Sequence, residues 1–495
     1  MSLLGIDVGT SGCKAAAFSA DGRRLAMASR EYPTLHPGPG LAELDSNDVW
    51  EKTRAVIAEV CAAVRNEPVT ALCVSSLGEA VVPVSRDRRL LGSSILSSDP
   101  RGAEYADTLR REIGQDDFYR INPNILGPQY SLPKLMWLRD HDPRLFAGAD
   151  MFLLWSDVVN FMLGCEPTCN NSHANRTLLF DLDANDWSDR LLKWAGMERS
   201  RFGRVVAGGT VVGTVADRVA DELGMPRGVT VVAGGHDQCP NALGCGCIEA
   251  GSAVCGIGTY ECLTPVFAQP ADPLSMLRQK LNMEHHVLPG LYVAFLFNQS
   301  GSLVRWFRDT FAVAEAKDAD VYARLNAELP SEPTRLLVLP HFDPPPWPEY
   351  IPDTAGAIVG LKTETRRGEI LKAIMEGATF HFVDGIDALR RIGVTTAEFV
   401  ASGGGARSDE WLQIKADIFG VPFVRLHNSE GGLAGAAMLA GLATGVFKAP
   451  KDAVATFVRR ERVFEPDSAR HAIYREKHAL YRQLFPALRP VLNRL

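Results

Sequence analysis

The sequence predicts an α/β fold made of two domains of similar topology. With 495 residues, the chain is too long for one hydrophobic core of ordinary size. A pattern of strand, Gly-Thr turn and returning strand occurs at Leu3–Phe18 and again at Ser252–Leu263. A repeat half a chain away indicates duplication, and the pattern restarts shortly after Gly246. We therefore expect domains at residues 1–246 and 247–495.

Composition and charge narrow the classes of function. Hydrophobic residues make up 46% and charged residues 22%, which is typical of a soluble globular enzyme. The net charge of −7 argues against a general binder of nucleic acids or anionic membranes. Met1 leads directly into a predicted strand, and ten cysteines in a long chain without a leader suggest free thiols in a reducing compartment, so we expect a cytoplasmic protein. The uncharged run Gly431–Phe447 is rich in Gly and Ala, which favours a buried helix over a membrane span.

The first candidate site is the turn after the N-terminal strand. Asp7 lies in that strand, Thr10, Ser11 and Gly12 form the turn, and Lys14 starts the return strand. Backbone N–H groups and hydroxyls at such a tip suit phosphate oxygens. Asp7 would lie close to that phosphate, so we expect Mg²⁺, bound through water, between them. An ordinary hairpin with a polar tip is the alternative interpretation.

Candidates for substrate binding follow predicted strands in the first half of the chain. After a helix that Asp45-Ser46 caps and that ends near residue 65, the predicted strand Val69–Val74 leads to Gly78 and Glu79. Side chains just past a strand end reach into clefts, so Glu79 could accept hydrogen bonds from sugar hydroxyls. A solvated loop residue is the alternative. The further substrate-binding candidates in similar surroundings are Asp99 and Arg101.

Three further elements precede the central motif. We predict helices starting at Tyr130 and over Trp155–Phe161, and a short edge strand over Val211–Val215. The polar segment Asn170–Arg176 lies between them, and its spacing indicates no role.

The central motif is Gly234-Gly235-His236-Asp237-Gln238, which follows the strand-like run Val229–Ala233. We expect the two glycines to open a tight turn that places Asp237 at the mouth of a cleft, with Gln238 beside it. A carboxylate at the carboxyl end of a buried strand can accept a proton from a substrate hydroxyl. The alternative is that Asp237 merely caps the following helix.

The second half supplies two more glycine turns. Gly258-Thr259 repeats the first hairpin, so two facing hairpins could hold a polyphosphate, and Gly301 opens the next helix. After the strand Glu398–Ala401, a run of three glycines ending in Gly404 and Gly405 lets a flat ring approach the backbone closely. Helices are predicted at 368–391, 409–419, 433–443 and 467–485, and Asp409 begins the second of them.

The order of these motifs resembles the FGGY family of carbohydrate kinases, within the actin-like ATPase superfamily, over nearly the whole chain. The most specific part is Gly356–Leu361 followed by Glu369, Ala373 and Glu376, which looks like the C-terminal signature of that family. The other segments that carry the resemblance are Asp7–Ser11, Tyr130–Trp137, Gly234–Gln238, Gly258-Thr259 and Ser402–Ala406.

The resemblance implies two ribonuclease-H-like domains with a deep cleft, ATP and Mg²⁺ as cofactors, and a sugar or polyol as acceptor. It implies Asp237 as catalytic base and Asp7 as the carboxylate that organises the metal. It also implies that the turns bind nucleotide and that Glu79 contacts substrate. The expected nucleotide contacts are Thr10, Ser11, Gly12, Lys14, Gly258, Thr259, Gly301, Gly404, Gly405 and Asp409; the expected substrate contacts are Gly78, Glu79, Asp99, Arg101, Asp237 and Gln238.

The acceptor is expected to be a ketopentose such as xylulose, because Tyr130–Trp137 and Gly403–Asp417 look most like xylulokinases. Where this chain has Gly78-Glu79, xylulokinases typically carry Met-His and glycerol kinases Arg-Glu, and residues before the base are often small whereas this chain has His236. Another ketose, a polyol or a sugar acid is therefore the alternative.

Two other classes of protein are alternatives to a sugar kinase. An actin-like ATPase that moves a partner protein would usually carry a partner-binding domain, and no segment of that size is visible. A family member that binds sugar without catalysis is disfavoured because Asp7 and Asp237 are both retained. The sequence leaves a homodimer open.

Overall fold

The computed structural model describes residues 1–269, 272–343, 351, 354–428 and 430–494. The strands of the first half are β1 Ser2–Val8, β2 Gly12–Ser19, β3 Arg24–Glu31, β4 Glu43–Leu44, β5 Val69–Ser76, β6 Val81–Val84, β7 Ser94–Ile95, β8 Met151–Leu154, β9 Thr168–Asn170, β10 Phe180–Asp181, β11 Asp186–Trp187, β12 Arg204–Val206, β13 Val211–Thr214 and β14 Thr230–His236. Its helices are α1 Ser46–Ala63, α2 Ala103–Glu112, α3 Gln115–Ile121, α4 Ser131–His141, α5 Pro143–Gly148, α6 Trp155–Met162, α7 Asn171–Arg176, α8 Asp189–Ala195, α9 Asp217–Leu223 and α10 Gln238–Gly244.

The second half follows the same alternation of strands and helices. Its strands are β15 Ser252–Ile257, β16 Tyr260–Phe267, β17 Glu284–His285, β18 Tyr292–Val293, β19 Leu296–Gln299, β20 Leu337–Leu339, β21 Ala357–Val359, β22 Glu398–Ser402, β23 Phe423–Leu426 and β24 Arg460–Phe464. Its helices are α11 Pro273–Arg278, α12 Gly301–Phe311, α13 Val321–Ala327, α14 Arg367–Arg391, α15 Asp409–Phe419, α16 Gly431–Ala443, α17 Pro450–Phe457 and α18 Ser468–Leu492.

Two large sheets share one topology. The first has the order β13-β14-β5-β1-β2-β3, and the second runs β17-β18-β16-β15-β22-β23-β24 with β19 also paired to β16. In each, an antiparallel hairpin, β1-β2 or β15-β16, adjoins parallel strands, which are β5 and β14 or β22 and β23. This repeat confirms the predicted similarity of topology between the two halves, and its origin by duplication stays a prediction. Because the chain passes from one sheet to the other between α10 and β15, we retain a domain boundary at residues 246 and 247 as a proposal.

Helices α10 and α16 pack against each other in a core that joins the two sheets. That core contains Leu3 of β1, Leu243 of α10, Val254 of β15 and Leu439 of α16. Glycines allow the close approach: a Cβ on Gly435 would overlap the carbonyl oxygen of Pro240. Helix α16 is therefore the buried helix predicted for this uncharged run. Among the described residues, no helix is both long and apolar enough to cross a membrane.

The tight turn predicted at Gly234-Gly235 is wrong, because β14 continues through both glycines to His236. A Cβ on Gly234 would overlap the Val74 carbonyl oxygen, and one on Gly235 would lie 2.6 Å from Ser172 Oγ. Gly235 also has a φ of +149°, a conformation that side chains disfavour. These glycines serve close packing of β14 against its neighbours, and the turn comes only at Asp237.

The other predicted elements lie where the patterns indicate. Asp45 caps α1 by accepting hydrogen bonds from the N–H groups of Asn47 and Asp48. Strand β13 is at the edge of its sheet. The C-terminal helix is longer than predicted and reaches Leu492.

Candidate active site

Three neighbouring parallel strands end at the candidate site. Asp7 at the end of β1 pairs with Ser75 of β5, and His236 at the end of β14 pairs with Ser76. The N–H of Asp237 donates to the Ser76 carbonyl at 2.9 Å. Since ligands of parallel α/β sheets bind beyond the carboxyl ends of the strands, this edge is where a substrate is expected.

Asp237 lies immediately before α10 but does not cap it. Its side chain accepts no hydrogen bond from the helix backbone and instead accepts one from Gln238 Nε2 at 3.0 Å. The side chain is 35% exposed, so the carboxylate faces the opening. The surrounding protein raises the pKa of Asp237 because it partly removes the carboxylate from water. These features suit a group that takes up a proton.

Asp7 is a half-buried residue whose carboxylate has one buried oxygen without full compensation. Its Oδ1 atom has no hydrogen-bond partner. Burial, and then the charge of Asp237, raise its pKa to about 7. Lys14, which could compensate it, instead pairs with Glu430 at 3.1 Å. A buried oxygen left unpaired is costly unless a cation meets it, so the residues present fit the expected Mg²⁺.

The first predicted phosphate turn closes on itself. The N–H of Gly9 donates to the Gly12 carbonyl at 2.9 Å, and Thr10 and Ser11 are exposed at the tip. Gly12 cannot carry a side chain, because a Cβ would lie 2.7 Å from the Arg30 carbonyl oxygen. The tip therefore offers two exposed hydroxyl side chains on a rigid hairpin.

The second predicted phosphate turn rests on the start of α12. The N–H groups of Gly301 and Ser302 donate to the carbonyls of Gly258 and Thr259, each at 3.1 Å. Arg305 donates to the Thr259 hydroxyl at 3.3 Å. The structure thus places Gly258, Thr259 and Gly301 together, with a guanidinium beside them.

The glycine turn predicted for adenosine follows β22. Gly403 has a φ of +83°, and a Cβ there would lie 2.8 Å from the Ile257 carbonyl oxygen. Open space lies where a side chain of residue 404 would be, and a ring needs such space to approach the backbone of Gly404 closely. Gly405 instead packs against Ile257. Asp409 forms ion pairs with Arg425 and Arg462, so its contact with nucleotide stays a prediction.

Glu79 is not a solvated loop residue, because it belongs to a buried charge cluster. It accepts a hydrogen bond from Arg176 Nε at 2.8 Å, and the two side chains are 12% and 6% exposed. Arg176 Nη1 also lies 3.9 Å from Glu284 Oε2, and the guanidinium stacks over the Tyr130 ring at 4.9 Å. Burial lowers the pKa of Arg176, but the charges of Glu79 and Glu284, the Tyr130 side chain and the hydrogen bond to Glu79 together offset this, and the net pKa is raised. The guanidinium is therefore a fixed cation.

His236 fills the space beside Gly78. Its Nδ1 lies 2.9 Å from Glu284 Oε1 and its Nε2 lies 3.4 Å from Asp237 Oδ1. A Cβ on Gly78 would lie 2.8 Å from His236 Cδ2, so this glycine leaves room for the imidazole. Burial lowers the pKa of His236, but the charge of Glu284, its hydrogen bond to the ring and the charge of Asp237 together offset this, and the net pKa is above its usual value.

One set of described residues has the composition of a metal site. Ligand atoms of His236, Cys239 and Glu284 all lie within 4.8 Å of one another. However, His236 and Cys239 already contact Glu284 Oε1, at 2.9 and 3.1 Å, and the Arg176 cation is nearby. We interpret the set as a hydrogen-bonded support for the imidazole.

Asp99 and Arg101 form an ion pair with each other. Asp99 is fully buried and accepts hydrogen bonds from Arg101 Nε at 2.9 Å and from the Ala42 N–H at 2.7 Å. Arg101 also pairs with Glu43 at 2.7 Å. Their role as substrate contacts stays a prediction.

Three residues of the site were not predicted as such. His236 was noted only as a departure from the small residues that are frequent before the base in the family that the sequence resembles. Arg176 and Glu284 gave no signal, because they are 97 and 205 residues from Glu79 in the chain and meet it only through the fold.

Comparison with known proteins gives concordant results. Residues 2–244 match the N-terminal domain of the FGGY family of carbohydrate kinases, and residues 253–444 match its C-terminal domain. The xylulose kinase of Bacillus subtilis (strain 168) is 28% identical over 486 residues, covering 98% of this chain and 96% of that protein. The autoinducer-2 kinase of Escherichia coli (strain SMS-3-5 / SECEC) is 26% identical over 504 residues, covering 98% of this chain and 94% of that protein.

A solved structure extends the similarity to the fold. The crystal structure of xylulose kinase from Rhodospirillum rubrum superposes with a TM-score of 0.88 at 27% sequence identity, covering 99% of this chain and 100% of that chain. This match confirms the predicted α/β fold with two domains.

Proposed function

Because the chain belongs to the FGGY family of carbohydrate kinases, and is thus an ATP-dependent sugar phosphotransferase, we propose that its acceptor is a neutral ketopentose such as xylulose. The observation that carries the proposed phosphoryl transfer to a hydroxyl group is the Asp237 carboxylate, which follows β14, does not cap α10 and is 35% exposed. The full-length similarity to proteins named xylulose kinase supports the ketopentose.

The charges beside Asp237 disfavour a sugar acid. Glu79, Asp237 and Glu284 contribute three carboxylates to this wall, against the Arg176 guanidinium and the His236 imidazole. Both of these basic groups are already paired with carboxylates. An anionic acceptor would therefore be repelled here, whereas hydroxyl groups can donate hydrogen bonds to the carboxylates.

The proposed reaction is an in-line phosphoryl transfer. A primary hydroxyl of the sugar donates its proton to Asp237 as its oxygen bonds to the γ-phosphorus and the bond to the departing ADP oxygen breaks. The raised pKa of Asp237 makes it a better proton acceptor than an exposed aspartate. Backbone and hydroxyl groups of Thr10, Ser11, Gly258 and Thr259 are proposed to hold the phosphates.

Asp7 is the residue proposed to hold Mg²⁺, on the side of its unpaired Oδ1 atom. When bound, the ion supplies positive charge that offsets the charge of the phosphates. Asp7 would hold the positive charge of the ion near Asp237, and this role requires no proton transfer by Asp7.

A polyol is the second candidate acceptor. The observation that favours it is the ion pair of Glu79 with Arg176, since glycerol kinases typically carry an Arg-Glu pair at the position of Gly78-Glu79. In this chain the arginine comes from α7 and the glutamate from the loop after β5, and the fold brings the two side chains together.

The test is an ATP-coupled assay over matched acceptors. D-Xylulose, D-ribulose, glycerol, erythritol and D-xylonate are compared by kcat/KM, and phosphorus-31 NMR identifies the phosphorylated hydroxyl. We expect a neutral ketopentose to give the highest value and xylonate to give almost none. A sugar acid as the best acceptor would contradict the charge argument, and no sugar-dependent turnover would contradict the proposed function.

A further inference from the structure

The imidazole of His236 is held in one orientation at the candidate site. One ring nitrogen is fixed by Glu284 at 2.9 Å, and the ring packs edge-on against Phe295 with centroids 5.1 Å apart. Gly78 leaves the space that the ring occupies. The remaining nitrogen, Nε2, is then directed towards Asp237 Oδ1, 3.4 Å away.

We propose that His236 is a specificity-determining residue, whose Nε2 hydrogen-bonds the acceptor oxygen on the carbon next to the phosphorylated hydroxyl. This inference rests on the proposed function. If the reacting hydroxyl lies against Asp237, the group 3.4 Å from that carboxylate is within reach of the neighbouring oxygen of the same acceptor. The substrate class is then a vicinal diol or a hydroxyketone, and an isolated primary alcohol is rejected.

Glu284 is the positioning residue in this arrangement. It is fully buried, and its Oε1 atom contacts both His236 Nδ1 and Cys239 Sγ. Since one ring nitrogen faces Glu284, the protein fixes which nitrogen remains for the acceptor. A site built around a fixed polar group rejects analogues that leave the group unpaired.

Glu284 also links this orientation to the second half of the chain. It lies in β17, whereas His236 and Arg176 belong to β14 and α7 of the first half. The β17 region is tied to the first half by Asn175 Nδ2, which donates to the Met283 carbonyl at 3.1 Å. The support for the imidazole therefore includes residues from both halves of the chain.

The test compares His236→Asn with His236→Gln. The asparagine amide reaches about as far as Nδ1 and can still contact Glu284, whereas the glutamine amide reaches about as far as Nε2. With D-xylulose as the probe, we expect His236→Asn to raise the acceptor KM about tenfold or more while the ATP KM stays within about twofold. His236→Gln should retain more of the acceptor affinity, and Glu284→Gln should fall between Asn and wild type.

Discrimination between acceptors separates this role from a purely structural one. Wild-type enzyme should prefer the acceptor over its analogue deoxygenated at the neighbouring carbon, and His236→Asn should lose most of that preference. His141→Gln, an exposed histidine at the end of α4, is the matched control and should behave as wild type.

Three outcomes would overturn the inference while the kinase assignment stands. These are unchanged discrimination in His236→Asn, equal losses in the Asn and Gln variants with a raised ATP KM, and efficient wild-type turnover of the deoxygenated analogue. A wild-type enzyme without turnover of any neutral acceptor would instead overturn the proposed function, and this inference with it.

Discussion

At the scale of single residues, Glu79 is tied to Arg176 and is proposed to receive a hydroxyl of the acceptor. Glu79→Gln keeps the shape but removes the charge from this hydrogen bond. Hydrogen bonds to charged groups typically contribute about 1.5–3 kcal/mol, so the acceptor KM should rise about tenfold or more with the ATP KM nearly unchanged. Steady-state kinetics with both substrates checks this.

A matched control is Glu59→Gln, because Glu59 forms an exposed ion pair with Arg30 at 2.6 Å. Exposed pairs contribute little, so this variant should keep wild-type kinetics. An unchanged acceptor KM in Glu79→Gln would leave Glu79 as a support for Arg176. The acceptor contacts would then have to be sought near Asp99 and Arg101.

Asp7 yields a prediction on stability and pH. An ordinary aspartate has a pKa of 3.8, whereas the pKa of Asp7 in the folded protein is about 7. Between these values the folded protein binds a proton that the unfolded chain has released, so this carboxyl lowers the free energy of unfolding as the pH rises. Asp7→Asn removes the effect. At pH 8 without metal, the variant should be more stable than wild type by roughly 2–4 kcal/mol.

Urea unfolding at pH 5.5 and pH 8 in a chelator measures this difference, which should grow with pH. Mg²⁺ should stabilise wild type at pH 8 and have little effect on Asp7→Asn, whose phosphoryl transfer should be strongly reduced. Equal stability of the two proteins at both pH values would show that Asp7 carries no unpaired charge.

At the scale of elements, the contact of α10 with α16 connects the proposed base, Asp237, to the second half of the chain. Helix α10 begins directly after Asp237, and a Cβ on Gly435 of α16 would overlap the Pro240 carbonyl oxygen. Gly435→Ala should therefore push the helices apart, lower stability by about 1–3 kcal/mol and lower kcat, because the base moves with α10.

Gly432→Ala is the matched control on the same helix, since nothing lies within 4 Å of the added Cβ. Alanine favours helix, so this variant should be as stable as wild type or more stable by up to about 1 kcal/mol. Thermal unfolding and kcat of both variants check the pair. Equal behaviour of the two variants would contradict the close contact between α10 and α16.

How much of the fold could be predicted depends on whether an element is determined by a short stretch of sequence or by distant residues. The duplicated hairpins, the cap at Asp45 and the buried helix α16 depend on short stretches of sequence, and each was predictable. The structural role of Gly234-Gly235 was not predictable, because two consecutive glycines in a sequence indicate either a turn or close packing. Here the carbonyl of Val74, 160 residues away, decides for packing.

At the scale of the whole molecule, the site combines residues that local patterns cannot associate. Asp7 and Asp237 could be singled out from the sequence, since Asp7 lies in a recognisable strand and Asp237 follows one. The wall around them could not, because Glu79, Arg176 and Glu284 come from the loop after β5, from α7 and from β17, and meet only when both halves are folded. We therefore expect substrate choice to depend on long-range packing and phosphoryl transfer to depend on local motifs.

The central claim is that Asp237 takes the proton of a sugar hydroxyl during phosphoryl transfer. The most direct measurement compares wild type with Asp237→Asn on the best acceptor, by coupled release of ADP, with nucleotide affinity from calorimetry. We predict a loss in kcat of at least about 10²-fold with nearly unchanged nucleotide affinity, because the amide keeps the size of the side chain but cannot accept the proton. Near-normal turnover by Asp237→Asn would contradict the account.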